Sequence, residues 1–278
     1  MTGILRRTLT IAAFAVTSCA AQHLEVVLAD QSLLRSRLES GQVAQSERQA
    51  TIEKLFRDAG CPVEEQPVDK KSANVVCKLP GSTSSTVVVG AHFDFADEGK
   101  GIVDNWSGAA MLASLYQAVK SNPRQHTFVF VAFAKEEQGL VGASRYVRMM
   151  TREEKAGLHA FVNLECLGLS PTKVWLSRAT PELVDRLKEI AGAMGSPLNA
   201  VNVDRVGDDD THPFLSAHLP VITIHSVTQD TWPILHSPRD QLNAIDFEDY
   251  SATYKLTAFY LAYLDIKLTG PAGSPPHK

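Results

Sequence analysis

Residues 86–94 read TVVVGAHFD, and the rest of the chain is interpreted outward from them. A short, nearly unbroken β-branched run suits a strand buried on both faces, since a half-exposed strand would alternate polar and apolar residues. The run stops on an imidazole and, two residues later, a carboxylate: His92 and Asp94. The pattern recurs downstream. Residues 127–134 (TFVFVAFA) predict a second buried strand, leading into Glu136 and Glu137. Residues 160–164 predict a third, ending on Glu165, and residues 221–225 another, followed after a loop by His236. Helical periodicity fills the intervals. It is clearest at 105–120, where Ala109, Leu112, Ala113, Leu115 and Tyr116 form the packing face, and it returns at 140–150, 181–194 and 247–268. Strands alternating with helices place the chain in the α/β class, with a mainly parallel, mixed central sheet sandwiched by helices.

Towards the N-terminus, residues 30–59 carry apolar residues at helical spacing with an interruption near Gly41, and Gly60-Cys61-Pro62 ends the pattern. Residues 63–68 and 74–79 predict two strands, and 80–82 a turn; a further strand is expected at 198–203. No repeat and no linker divides residues 25–268, so one domain is expected over 22–269, with a flexible tail at 270–278. The hydrophobic share of 44% is ordinary, and a body of 278 residues can bury roughly 75% of its unfolded surface, so folding needs no disulfide scaffold.

Arg6 and Arg7, an apolar run at 9–16 and small residues at 17–21 predict a secretory signal over residues 1–21. The apolar run is too short to span a bilayer. Val16-Thr17-Ser18-Cys19 resembles a bacterial lipobox, which would leave Cys19 as a lipidated first residue and the sole membrane contact; ordinary cleavage after Ala20 or Ala21 is the competing outcome. Either way the protein is expected to be exported: periplasmic, secreted or lipid-anchored. In an oxidising compartment Cys61 and Cys77 would pair, the alternative being two buried thiols, and Cys166 is expected to be an unpaired core residue beside the site. A formal charge of −4 and the lack of a Lys/Arg cluster argue against nucleic acid as a partner.

Each polar motif has a plain alternative. Asp94 can accept a hydrogen bond from one nitrogen of His92 and leave the other for a metal, or the two can form a structural pair. Asp104, before Asn105-Trp106-Ser107-Gly108, can bridge two cations or serve as an N-cap. Glu136 and Glu137 point apart in extended backbone, so one can ligate while the other takes a proton; solvated acids are the alternative. Glu165, among apolar residues, is costly unless paired or metal-bound. His236 has Asp240 as a candidate orienting partner, and His225 is its rival from the same region, better suited to a structural hydrogen bond. In open α/β sheets ligands bind beyond the carboxyl ends of the strands, where these groups converge.

The motifs His92-Phe93-Asp94, Asp104-Asn105-Trp106-Ser107-Gly108-Ala109, Glu136-Glu137-Gln138-Gly139, Asn163-Leu164-Glu165 and His236-Ser237-Pro238-Arg239-Asp240 together resemble the co-catalytic dizinc aminopeptidase family. That family also includes glutamate carboxypeptidase II-like enzymes and glutaminyl cyclases. The resemblance implies a zinc-exopeptidase-like fold and two zinc ions. It implies that His92 and Glu165 hold one ion, Glu137 and His236 the other, and that Asp104 bridges them. It also implies Asp94 behind His92, Glu136 as general base, and a peptide with a free N-terminus as substrate. Two departures stand out. Glu165 is a methylene longer than the family's usual Asp, and Asp208-Asp209-Asp210-Thr211-His212 replaces the usual Ser-Asp-His, with Asp210 at the Asp position. Trp232 and Phe95 are candidate walls of an apolar side-chain pocket. A one-zinc glutaminyl cyclase is the nearest rival, disfavoured by the intact His92–Asp94 pair. A non-catalytic binding module on the same fold is another, disfavoured by competent donors at every ligand position.

Overall fold

The computed structural model describes residues 4–11, 22–96, 98–204 and 207–268. Ile4–Ile11 (β1) and Gln22–Ala29 (β2) form an antiparallel two-stranded ribbon apart from the main sheet. The expected leader therefore falls partly in β1, while its cleavage zone at 17–21, with Cys19, and the tail at 270–278 lie outside the described residues. Gln31–Glu39 (α1) and Gln45–Asp58 (α2) are separated at the predicted break. Asp30 caps α1 by accepting a hydrogen bond from the Leu33 N–H at 2.7 Å. Val63–Pro67 (β3) and Ala73–Leu79 (β4) form a hairpin, and a Cys61–Cys77 disulfide ties its base to its second strand, which removes the two-thiol alternative.

The α/β body follows. Thr86–His92 (β5) leads through a π-turn at Ile102–Trp106 into Ser107–Lys120 (α3), then Thr127–Phe133 (β6). Val141–Met149 (α4) and Arg152–Ala156 (α5) connect to Leu158–Glu165 (β7). Lys173–Val174 (β8), Pro181–Met194 (α6), Asn199–Ala200 (β9), Thr211–Ser216 (α7) and Val221–His225 (β10) come next, and Phe247–Lys267 (α8) closes the fold. Proline at the first turn of α6 and Gly195 at its C-cap, with φ 62°, set the ends of that helix where the sequence placed them. One expectation fails. The strand at 198–203 shrinks to the two exposed residues of β9 at the sheet edge, while Leu198 and Val203 on either side of it are partly buried against the cores.

The sheet has eight strands in the order β3-β4-β6-β5-β7-β10-β8-β9. Its centre, β6-β5-β7-β10, is parallel, and β3, β4 and β8 pair antiparallel at the margins. Alternate strand residues feed two cores. Val87, Val89, Phe130, Val162 and Ile224 pack with α1, α2, α3, α6 and α8 on one face; Val88, Val131, Phe133 and Phe161 pack with α4 and α7 on the other. The second core is aromatic, with Phe161 and Phe214 stacked at 3.9 Å between centroids. The chain leaves β5 for β6 on one side and then crosses to β7 on the other, so the strand order reverses beside β5. Such a reversal opens a crevice at the carboxyl ends of the strands.

At the amino ends of the same strands lies a separate polar chain. Asp265 on α8 stands 3.0 Å from His126 Nδ1 and also accepts the backbone N–H groups of Gln125 and His126. His126 Nε2 lies 2.8 Å from His159 Nδ1. This chain fastens the end of α8 to the starts of β6 and β7.

Candidate metal centre

His92 is the last residue of β5 and is buried. Its Nδ1 lies 3.1 Å from the main-chain carbonyl of Asp94, so a proton there is held by a backbone acceptor and Nε2 is left facing the crevice. The Asp94 carboxylate itself is 3.8 Å from that ring and does not make the expected side-chain bond. It accepts instead the backbone N–H groups of Glu136 and Glu137, at 3.0 and 3.2 Å. Asp94 thus sits behind His92 and also fixes the turn that presents both acids.

Asp104 is not an N-cap. It lies in the π-turn with φ −110° and ψ 93°, the Asp104–Asn105 peptide is cis, and α3 begins at Ser107 without a side-chain cap. One carboxylate oxygen of Asp104 is 3.2 Å from His92 Nε2 and the other 3.1 Å from His236 Nε2. Asp240 holds this turn rather than His236: its oxygens accept the backbone N–H groups of Val103 and Asp104, at 2.7 and 3.2 Å. Asn105 ties the turn to the end of β7, donating to the Leu164 carbonyl at 2.8 Å and accepting from the Cys166 N–H at 3.1 Å. Gly108 is required by the same closeness, since a Cβ there would meet the Leu164 carbonyl oxygen at 2.5 Å.

Glu165 Oε1 is 3.3 Å from His92 Nε2, and Glu137 Oε2 is 3.1 Å from His236 Nε2. Two donor sets result, His92/Asp104/Glu165 and Asp104/Glu137/His236, each with its donor atoms within 4.8 Å of one another and with Asp104 common to both. Glu136 belongs to neither set and stands 3.7 Å from His92 Nε2. The backbone is left-handed at Lys135 (φ 60°), Cys166 (φ 48°) and His236 (φ 50°). Non-glycine residues seldom take this conformation, and here it occurs where the chain turns to present a donor.

The electrostatics follow from crowding carboxylates in a buried crevice. Burial opposes a charge on His92, but Glu136 and Glu165 outweigh it, with help from Asp104, and hold its pKa well above the ordinary value. Hydrogen bonds to Asp104 and Glu137 raise His236 to about 10. Burial works against the Asp104 carboxylate, but His236 and His92 overcome it and push its pKa down. Burial, with the negative charges around it, lifts Glu136 to about 10 and raises Glu165 as well. The metal-free site therefore recruits protons to offset its negative charge.

His225 is not part of the donor sets. Its Nε2 lies 2.9 Å from the Val201 carbonyl and its Nδ1 accepts the Val227 N–H at 3.2 Å, the structural role expected for it. His212 pairs with Asp208 at the surface, 2.6 Å away. Asp210 is fully buried and neither of its oxygens has a partner among the described residues; burial raises its pKa well above the ordinary range. Sequence reasoning marked its position but not this environment, and the cue was a third consecutive acid at the start of α7. The crevice encloses a cavity of about 340 Å³ walled by Leu140, Trp175, Val203, Val227, Trp232 and Leu235, with buried Cys166 beside Glu165. Trp232 thus lines the pocket as expected. Phe95 does not, and packs instead against the Arg48 guanidinium, 4.4 Å from the ring centre.

An aminopeptidase of Pseudomonas aeruginosa is 38% identical over 100 residues, covering 34% of this chain and 18% of that protein, so the chain spans under a fifth of that relative's length. The LapA aminopeptidase of Legionella pneumophila shares the fold with a TM-score of 0.77 at 16% identity, over 86% of this chain and 73% of that one. An Acidobacteriales bacterium glutaminyl cyclase shares it at 0.70 and 17% identity, over 92% and 99% of the two chains. The sequence pattern described as "Peptidase family M28" matches residues 74–261, which takes in every donor of both sets. The chain belongs to peptidase family M28.

Proposed function

We propose that this protein is a zinc-dependent exopeptidase, an aminopeptidase that hydrolyses the first bond of a peptide with a free N-terminus. The carrying observation is Asp104, whose two oxygens face two separate imidazoles. The donor chemistry fits zinc, which accepts imidazole nitrogen and carboxylate oxygen. Glu137 Oε1, buried and without a hydrogen-bond partner among the described residues, fits too, as a donor awaiting a cation. His92 and Glu165 would hold one ion, Glu137 and His236 the second, with Asp104 between them. A pair of ions there would supply Lewis acidity towards the scissile carbonyl and a water activated near neutral pH.

The chain's own residues do the rest. Asp94 fixes the Glu136–Glu137 turn through two backbone hydrogen bonds, so the two acids keep distinct positions. Glu136 faces the crevice outside both donor sets. Burial and the negative charge around it keep it protonated there; with that charge offset by bound cations, it can take the water's proton and return it to the leaving amine. The apolar cavity beside the donors suits the side chain of one terminal residue. Two donor sets, rather than one, favour this reading over a one-zinc cyclase. The named aminopeptidase relative supports the activity. We also infer export: a leader over residues 1–21, with or without lipid on Cys19, ahead of a catalytic domain over 22–269. The Cys61–Cys77 bridge suits an oxidising compartment, and no described helix is long and apolar enough to cross a membrane.

The test is a metal count and an assay on one preparation. Two zinc ions per chain and hydrolysis of aminoacyl anilides, lost on chelation and regained with zinc, are expected. One ion with cyclisation of N-terminal glutamine would indicate the cyclase, and full activity in metal-free protein would sink the proposal.

A further inference from the structure

Arg48 lies on α2, ahead of the matched segment 74–261, and is fully buried. Its Nη1 donates to the Phe93 carbonyl at 3.0 Å; its Nη2 donates to the Lys100 carbonyl at 2.5 Å and to the Gly41 carbonyl at 3.3 Å. Phe93 directly follows His92. Lys100 directly precedes Gly101, where φ is 54° and the chain turns into the segment carrying Asp104. One guanidinium therefore clasps both ends of the loop that joins two of the proposed metal donors. The planar face of the same group packs over Phe95 and Trp106, at 4.4 and 5.1 Å from the ring centres.

The α1–α2 turn closes on the site from the same side. The Trp106 indole N–H donates to the Arg37 carbonyl at 3.1 Å. Gly41 lies so near that indole that a Cβ would sit 2.1 Å from its ring. Burying a guanidinium is costly, and an apolar side chain would fill the space more cheaply. The charge is nevertheless kept, close enough to Asp240, Asp94 and Asp104 for each to favour its ionised form. A fork that reaches separate carbonyls with fixed geometry is something a lysine ammonium does not provide.

We infer that Arg48 is a positioning residue for the metal centre: it sets the span between His92 and Asp104, and so makes α1–α2 part of the site. This rests on the metal-centre reading above. The test compares zinc-loaded Arg48→Met and Arg48→Lys with Arg37→Met. The Arg37 guanidinium is likewise buried but bonds to Ser114 and Gln117 on α3, not to the loop. Arg48→Met is expected to lose zinc to a chelator about tenfold faster, as for other groups that orient metal ligands. Arg48→Lys should fall in between, and Arg37→Met should release zinc like the wild type even where its thermal midpoint drops as far. Zinc loss in Arg48→Met no faster than in Arg37→Met overturns the inference, and so does full restoration by lysine. Should the methionine variant not fold, wild-type zinc retention in Arg48→Lys has the same force. Amide exchange at Val103 and Asp104, which needs no metal, should quicken in the Arg48 variants only; exchange unchanged there also overturns it. Wild-type protein that takes up no zinc would refute the metal reading instead, with the exchange result still deciding on Arg48.

Discussion

Glu136 and Glu137 are consecutive, and the fold gives them different neighbours: Glu137 meets His236, and Glu136 meets the open crevice and His92. Substituting Glu136→Gln keeps the shape and removes only the proton acceptor. Zinc content should stay at the wild-type level while kcat falls by about 10²–10⁴-fold, the usual worth of a general base. A variant with wild-type kcat, measured with zinc content alongside, would remove Glu136 from the mechanism. At this scale the sequence was informative about residue types and less so about partners. The side chains it singled out lie together in the crevice, but the hydrogen bonds assigned to Asp94 and Asp240 go elsewhere. Asp240 accepts from an N–H 136 residues away. Nothing in the local sequence of His236-Ser237-Pro238-Arg239-Asp240 distinguishes that partner from the nearer histidine.

Among the elements, the buried strands were the most legible. Runs such as TVVVGAH have one way to be satisfied, between neighbouring strands with helices on both faces. The turns between strand and helix were less so: the π-turn at Ile102–Trp106 depends on Asn105 and Ser107 bonding to residues 164–167, contacts that no periodicity encodes. The β3–β4 hairpin carries its own prediction. The Cys61–Cys77 bridge closes a separation of 16 residues, and a loop of that size restricts the unfolded chain by about 3 kcal/mol. The double variant Cys61→Ser/Cys77→Ser should lose about that much in denaturant unfolding. It should keep its activity, since neither cysteine lines the cavity. Equal stability of variant and wild type would show that the bridge does not form in solution.

Taken as a whole, the molecule should answer pH in opposite ways with and without metal. His236 is raised from 6.5 to about 10 in the folded protein, so its stabilisation is complete below pH 6.5 and disappears as pH climbs towards 10. Glu136, raised from 4.5 to about 10, also binds its proton more tightly when folded, which adds to the loss over that range. The metal-free protein should therefore melt at a lower temperature at pH 9 than at pH 6. Zinc needs deprotonated imidazoles, so its binding should release protons and protect most at the higher pH. Calorimetry with and without zinc tests both; a metal-free midpoint that rises with pH would contradict the site's electrostatics.

The Asp265–His126–His159 chain works in the other direction. Burial, together with the nearby His126, lowers the pKa of His159, so folding loses ground as pH drops below 6.5. That weakness sits at the pole of the sheet farthest from the crevice, where the last helix is moored. Souring the medium would thus loosen that end of the helix, whose core-facing residues from Tyr250 to Leu264 stay packed. An acid limb in a rate profile would then mix a loosened mooring with the titration of the chemistry, and a melting curve taken at the same pH would tell the two apart.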